Sequence, residues 1–293
     1  MLKLKLRRSM LFMPGNNPGM LQTAVDFGAD SIILDLEDAV ALTEKDAARI
    51  LVREALKVND YSSVEVVVRI NPLSTPFADE DIDVIARLNP DAILLPKAVP
   101  EDVRIMDEKL SKIEEEEGLE KGSIKIHCLV ETTYGVETVY ETIKSSSRIQ
   151  AILLGGEDLA ADLAVKRTKS SEEIFYARTK VVNACKALKI DAIDTPFTDT
   201  NDYDGLRADT EKVKGLGFSG KLAINPRQID TIHEVYSPSE ADINYALRVM
   251  YAQDEAEKEG LGVFSLDGKM VDLPVINRAK QTLDVARLIG LIK

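Results

Sequence analysis

The chain is short of three things, and each shortage excludes a class of protein. Its two cysteines, Cys128 and Cys185, stand alone without CxxC spacing, so neither a disulfide framework nor a zinc knuckle is indicated and a reducing, cytoplasmic compartment is expected. It has no apolar run of the roughly 18 residues needed to cross a bilayer. The opening Met1-Leu2-Lys3-Leu4-Lys5-Leu6-Arg7-Arg8 carries the positive charge of a signal peptide, but the apolar stretch after it is cut at Pro14-Gly15 and no secretory core fits. Basic residues are also outnumbered, 37 Lys and Arg against 50 Asp and Glu, and a formal net charge of −13 repels nucleic-acid phosphates and anionic lipid. A soluble protein with no nucleic-acid or membrane partner is therefore expected. GxSxG and P-loop motifs are absent too. Gly215-Leu216-Gly217-Phe218-Ser219-Gly220 spells GxGxxG, but it precedes a strand instead of following one and opening a helix, so it is read as a loop.

What the chain does have is alternation. Short apolar runs occur at Ser9 to Met13, Ser31 to Leu36, Val64 to Ile70, Ala92 to Leu95, Ile124 to Val130, Ala151 to Leu154, Ile190 to Ile193 and Lys221 to Ile224. Runs of this kind suit strands buried on both faces of a parallel sheet. Stretches of helical composition lie between them, such as Glu44 to Lys57, Glu101 to Glu116, Val136 to Lys144 and Glu172 to Leu188. Asn17-Pro18 offers a cap followed by proline at the first helical position, and Thr43 with Asp46 and Ser170 with Glu173 fit the capping-box spacing. A doubly wound open sheet would alternate as well, but eight units over roughly 220 residues match a (β/α)8 barrel of the TIM type better. The barrel is assigned to residues 1–235, followed by a C-terminal helical extension over 236–293. In that extension a helix from Pro238 to Glu259, a glycine-punctuated arm from Gly260 to Lys269 and a helix from Pro274 to Leu291 pack either on the chain's own barrel or on a neighbouring subunit.

In such a barrel the carboxyl ends of the strands share one rim, where active sites are built. Glu131 closes the fifth run and Asp158 follows the sixth. Unpaired acids there are costly to bury, so they either share a cation such as Mg²⁺, which seldom receives a complete protein cage, or are structural acids bridged to Arg or Lys. Asp35, Glu37 and Asp38, where the second run ends, could accept hydrogen bonds from metal-bound water or simply cap the next helix. Gly155-Gly156 allows close backbone approach to a ligand or a tight turn. Arg69, ending the third run, could grip a carboxylate or a developing enolate oxygen, unless it pairs structurally with Asp35 or Glu37. Lys97, after the fourth run, is either a Schiff-base nucleophile or a surface lysine. His127 lies within a strand and far in sequence from His233, which favours packing over a catalytic dyad.

Taken in order, Arg8-Ser9-Met10-Leu11-Phe12-Met13-Pro14-Gly15, Leu34-Asp35-Leu36-Glu37-Asp38-Ala39-Val40, Val68-Arg69-Ile70-Asn71, Leu95-Pro96-Lys97, Val130-Glu131-Thr132, Gly156-Glu157-Asp158, Ile224-Asn225-Pro226-Arg227-Gln228-Ile229 and Gly268-Lys269-Met270-Val271-Asp272 resemble the HpcH/HpaI aldolase and citrate lyase family over nearly the whole chain. The resemblance implies that Glu131 and Asp158 bind Mg²⁺, that Arg69 and Glu131 contact substrate, and that Asp272 acts as acid or base in a neighbouring subunit's site, with Asp267 a nearby competitor. It implies a carbon–carbon lyase, and Asn225 before Pro226 resembles the citrate lyase branch, so cleavage of a citryl thioester to oxaloacetate and an acetyl thioester is expected. An acyl carrier protein, a citrate lyase α-subunit and a homo-oligomer (a trimer or a multiple of one) are the implied partners. Lys166-Arg167-Thr168-Lys169 could receive the carrier's acidic face or form plain solvated surface. A malyl-CoA or citramalyl-CoA lyase or related thioesterase, a Schiff-base aldolase through Lys97, and a non-catalytic assembly subunit are the alternatives.

Overall fold

The computed structural model describes residues 5–258, 260 and 262–293. Glu259 and Leu261, within the extension read from sequence, and Met1 to Leu4 at the start of the chain lie outside the described residues. Eight parallel strands, β1 (Ser9–Pro14), β2 (Ser31–Asp35), β3 (Glu65–Arg69), β4 (Ala92–Leu95), β5 (Lys125–Val130), β6 (Ile149–Leu154), β7 (Asp191–Asp194) and β8 (Gly220–Ala223), close into a barrel in sequence order. Closure is made by β1 and β8, with Met10 opposite Leu222. The expected (β/α)8 barrel is thus the observed fold. Every strand contributes to one interior cluster, through Met10, Ile33, Val67, Leu94, Leu129, Leu153, Ile193 and Leu222, all 2% exposed or less. The alternate residues, Leu11, Ile32 and Ile93 among them, are equally buried, which is why these strands read as continuous apolar runs.

Local chemistry sets the helix ends. Asn17 caps Pro18–Gln22 by accepting from the Met20 N–H, and Pro100 opens the helix Pro100–Glu117, which Gly118 ends at φ 67°. The capping boxes expected at Thr43 and Ser170 do not form: Lys45–Val58 begins without a side-chain cap, and the Glu173 carboxylate is taken by the Thr168 N–H and hydroxyl and by Arg167. The capping box that does form joins Asn225 and Gln228 directly after β8. Gly217, within the GxGxxG sequence, ends the helix Tyr203–Leu216 at φ 107°, and a Cβ on Gly220 would fall 1.8 Å from the Arg7 carbonyl. Those glycines serve chain geometry.

At the amino ends of the strands Arg7 acts as a plug. It donates to both Glu65 oxygens at 2.8 and 2.7 Å, to Asp191 at 2.7 Å and to Gln150 at 2.7 Å. Ser31 completes the Glu65 shell at 2.7 Å, and the carboxyl is held down at about 2. Burial alone would raise it; the opposing charge of His127 and the bonds and charge of Arg7 prevail.

The chain divides into two compact units, Arg7–His233 and a smaller one built on Glu234–Lys293. The smaller unit pairs the helices Glu240–Lys258 and Leu273–Leu288 around Val249, Val271, Ile276 and Leu283. The stretch read from sequence as an arm runs into an antiparallel hairpin, β9 (Phe264–Leu266) with β10 (Lys269–Val271). Asp267 and Gly268 turn it at φ 53° and 74°, the successive positive angles that a two-residue hairpin loop requires. Among the described residues no helix is long and apolar enough to cross a membrane.

Candidate active site

Glu131 leaves β5 immediately after Val130 and is 3% exposed. Its Oε1 accepts from the Lys97 backbone N–H at 2.9 Å, and Lys97 makes that bond from a left-handed conformation, φ 51°. At the end of the adjacent strand β6, a Cβ on Gly155 would lie 2.6 Å from Glu131 Oε2, so glycine is needed there to make room for this side chain. Gly156 has a similar reason: its N–H donates to Thr195 Oγ1 at 2.9 Å, and a Cβ would meet that oxygen at 2.8 Å. The glycine pair therefore accommodates protein side chains. It opens the helix Gly156–Asp162, whose first turn carries Asp158, half-buried and close enough to act electrostatically on Glu131. Burial, the charge of Glu37 and the charge of Asp158 push the Glu131 carboxyl up to about 8, against the pull of Lys97.

The neighbouring acids are organised by Arg69 at the end of β3. Its Nε and Nη2 donate to the two oxygens of Asp35 at 2.7 and 2.6 Å, Nη1 lies 2.9 Å from Glu37 and 3.5 Å from Asp38, and the guanidinium stacks 4.7 Å from the Phe12 ring centroid. Asp35 also accepts from the Glu37 and Ala39 backbone N–H groups at 2.9 and 3.2 Å, so its oxygens are fully occupied. Glu37 is less satisfied: Oε1 receives Lys97 Nζ at 3.1 Å, whereas Oε2, although 2.9 Å from Arg69 Nη1, lies off the N–H directions and accepts no hydrogen bond. Burial raises the Glu37 carboxyl despite the opposing charge of Arg69. Beneath it, Lys45 donates to the carbonyls of Leu36 and Glu37 at 2.9 and 2.7 Å.

Five carboxylates, Asp35, Glu37, Asp38, Glu131 and Asp158, thus face three cations, Arg69, Lys45 and Lys97. With all five ionised, the formal excess of negative charge is one that a divalent ion would offset. A buried carboxylate held far above its ordinary range, beside an orphaned carboxylate oxygen, is the donor set such an ion would satisfy. Among the described residues no cluster of three or more His, Cys, Asp or Glu forms a metal cage. A magnesium ion needs only one or two carboxylates from a protein and completes its shell with water or ligand oxygens.

The residues singled out in the sequence are distributed as follows. Glu131, Asp158, Glu37, Asp35 and Arg69 come together at one rim, with Asp38 at its edge, 62% of its side chain exposed. Asp272 belongs to the smaller unit, where its side chain caps Leu273–Leu288 by accepting from the Val275 N–H at 3.3 Å. Asp267 turns the hairpin. Burial favours a neutral amine at Lys97, but Glu37, Glu131 and Asp158 together raise it above the ordinary lysine range, which favours the ammonium ion over the neutral amine that a Schiff-base nucleophile needs. His127 is fully buried in β5, and His233 shares a 2.7 Å hydrogen bond with the Ser9 hydroxyl. In the basic run after β6, Arg167 is paired with Glu157 and Glu173, and Lys169 with Asp199 and Asp202, so much of the patch is neutralised locally. Phe12, Lys45 and Thr195 were not signalled: Phe12 and Thr195 look like ordinary strand-end residues, and Lys45 like a solvated helix start.

The fold and site define a (β/α)8 barrel whose carboxyl rim is lined with more acids than cations. Residues 8–226 match the family model described as HpcH/HpaI aldolase/citrate lyase. The chain is 45% identical over 285 residues to the citrate lyase subunit beta of Leuconostoc mesenteroides subsp. cremoris, covering 96% of this chain and 94% of that one. Among solved structures it resembles Mycobacterium tuberculosis CitE in complex with magnesium, acetoacetate and coenzyme A, at TM-score 0.79 and 28% identity over 96% of this chain and 98% of that one. It also resembles the M. tuberculosis citrate lyase beta subunit complexed with oxaloacetate and magnesium, at TM-score 0.67 and 27% identity over 80% of this chain and 98% of that one. The chain belongs to the HpcH/HpaI aldolase/citrate lyase family.

Proposed function

We propose that the chain is a magnesium-dependent carbon–carbon lyase that cleaves a citryl thioester to oxaloacetate and an acetyl thioester as the β-type subunit of a citrate lyase complex. The observation that carries the reading is the buried Glu131 carboxyl, pushed up to about 8 between Glu37 and Asp158 at the rim of a barrel of this family. Glu131 and Asp158 would hold Mg²⁺, with Asp35, Glu37 and Asp38 arranged behind them. When bound, the ion supplies Lewis-acid stabilisation of negative charge on substrate oxygen.

The protein's own groups account for the rest of a retro-Claisen cleavage. A base removes the hydroxyl proton, the C–C bond breaks as the ketone carbonyl of oxaloacetate forms, and the electron pair passes to the thioester enolate, which is then protonated at carbon. Arg69 supplies positive charge beside the site, and its tether to Asp35 fixes that charge in place before substrate arrives. Asp272, contributed by a neighbouring copy in a homo-oligomer, is the proposed base. Substrate choice follows the 45% identical citrate lyase relative and Asn225, whose side chain accepts from the Arg227 N–H and fixes the turn after β8. In this reading the partners are an acyl carrier protein and a citrate lyase α-subunit, and the setting is the cytoplasm.

The test is a coupled assay for oxaloacetate with citryl, malyl and citramalyl thioesters, with and without EDTA. Citryl turnover abolished by chelation is expected; preference for malyl or citramalyl thioester would replace the substrate, and no turnover of any of them would leave an assembly role.

A further inference from the structure

The cations of the rim are not equivalent. Arg69 is 7% exposed and its guanidinium hydrogen-bonds Asp35 and Asp38 and lies 2.9 Å from Glu37. Lys45 is buried and donates to two backbone carbonyls. Neither can turn toward a newly arrived anion without uncovering a buried carboxylate or carbonyl. Lys97 differs in both respects. Its side chain is 43% exposed, and Nζ makes a single described hydrogen bond, to Glu37 Oε1, leaving two of the three ammonium donors for another acceptor.

The backbone adds a second, independent observation. Lys97 is a non-glycine residue at φ 51°, a conformation that persists only where its surroundings demand it. Here the demand is visible: the same residue turns its N–H onto Glu131 Oε1 at 2.9 Å and its ammonium onto Glu37 at 3.1 Å. One residue therefore holds the Glu131 carboxylate from the backbone and presents a partly exposed positive charge beside it. A ligand carrying carboxylates has to enter a rim with more acids than cations; a divalent ion offsets part of that repulsion, and a cation with unused donors at the mouth can bind a carboxylate directly.

Building on the function proposed above, we propose that Lys97 is a substrate-contacting residue: its ammonium moves from Glu37 to bind a carboxylate of the oxo-acid portion of the substrate, while its backbone N–H keeps Glu131 in place. The replacement of side chain leaves the backbone bond intact, so the two roles can be separated.

The test is calorimetric titration of the full chain, first with Mg²⁺ alone and then with oxaloacetate at saturating Mg²⁺, for wild type, Lys97→Met, Lys97→Gln and Lys97→Arg. The uncharged variants should weaken oxaloacetate binding by about 10- to 100-fold, the range for a lost charge-assisted hydrogen bond. Their Mg²⁺ affinity should stay level or tighten, because a competing cation has left the acids. Lys97→Arg should recover part of the loss. Lys97→Gln keeps the test open if Lys97→Met does not fold. Wild-type oxaloacetate affinity in either uncharged variant, or a parallel loss of Mg²⁺ affinity, overturns the contact while leaving the lyase reading intact. Failure of the wild type to bind oxaloacetate overturns both.

Discussion

Arg69 grips both oxygens of Asp35 through Nε and Nη2, at 2.7 and 2.6 Å, and the pair lies almost fully buried between β2 and β3. It sets the position of the rim's fixed positive charge. Removing one partner of such a pair leaves the other buried and uncompensated, at about 3–5 kcal/mol. Asp35→Ala and Arg69→Ala should each lower unfolding free energy by that order in urea titrations. The double variant should lose less than the sum of the two. Strict additivity would show that the pair is not coupled.

Arg69→Lys keeps the charge and loses the fork. We expect the fold to survive and turnover to drop at least tenfold with little change in Mg²⁺ affinity. Turnover equal to wild type would remove Arg69 from the reaction.

Glu131→Gln retains an oxygen for the Lys97 N–H but removes a charge that is costly to bury. The thermal midpoint should hold or rise while calorimetric Mg²⁺ binding disappears. Binding retained by the variant would reassign the ligand.

The raised Glu131 carboxyl also sets a pH dependence. In the metal-free protein it is mostly protonated below about 8, and a metal ligand must be ionised, so Mg²⁺ binding releases a proton. Apparent affinity should climb by up to tenfold per pH unit from 6 to 8, an order-of-magnitude slope, and flatten above. Titrations in buffers of different ionisation enthalpy would count the proton; a flat profile would mean that Glu131 is already ionised.

Acid stability is controlled at the opposite end of the barrel. Glu65 is lowered to about 2 against an ordinary 4.5, so its contribution is fully present above pH 4.5 and is lost as pH falls through 2. The shift corresponds to about 3 kcal/mol. Glu65→Gln should unfold more readily at pH 7 and show a shallower stability loss between pH 4.5 and 2. A slope identical to wild type would exclude Glu65 from acid unfolding.

The eight strands were readable because both faces of each are buried, so apolar character is continuous; β6 starts earlier than its apolar core suggests only because Gln150 interrupts it to meet Arg7. The hairpin at Phe264–Val271 escaped because each of its strands is only three residues long, too short for alternation to stand out, although Asp267-Gly268 is a hairpin signal. Acids at strand ends stand out in sequence because charge after an apolar run is unusual. The bond from the Lys97 N–H to Glu131 does not, since it depends on a backbone angle that no side chain advertises. The reason for Gly155 was misread for a related cause: what it makes room for is Glu131, from another strand.

The central claim is tested most directly by the rate of oxaloacetate release from a citryl thioester with Mg²⁺, after EDTA, and after Mg²⁺ is restored. The account predicts release that stops on chelation and returns with the metal in the wild type, and does not return in Glu131→Gln. Release that continues undiminished in EDTA would contradict it.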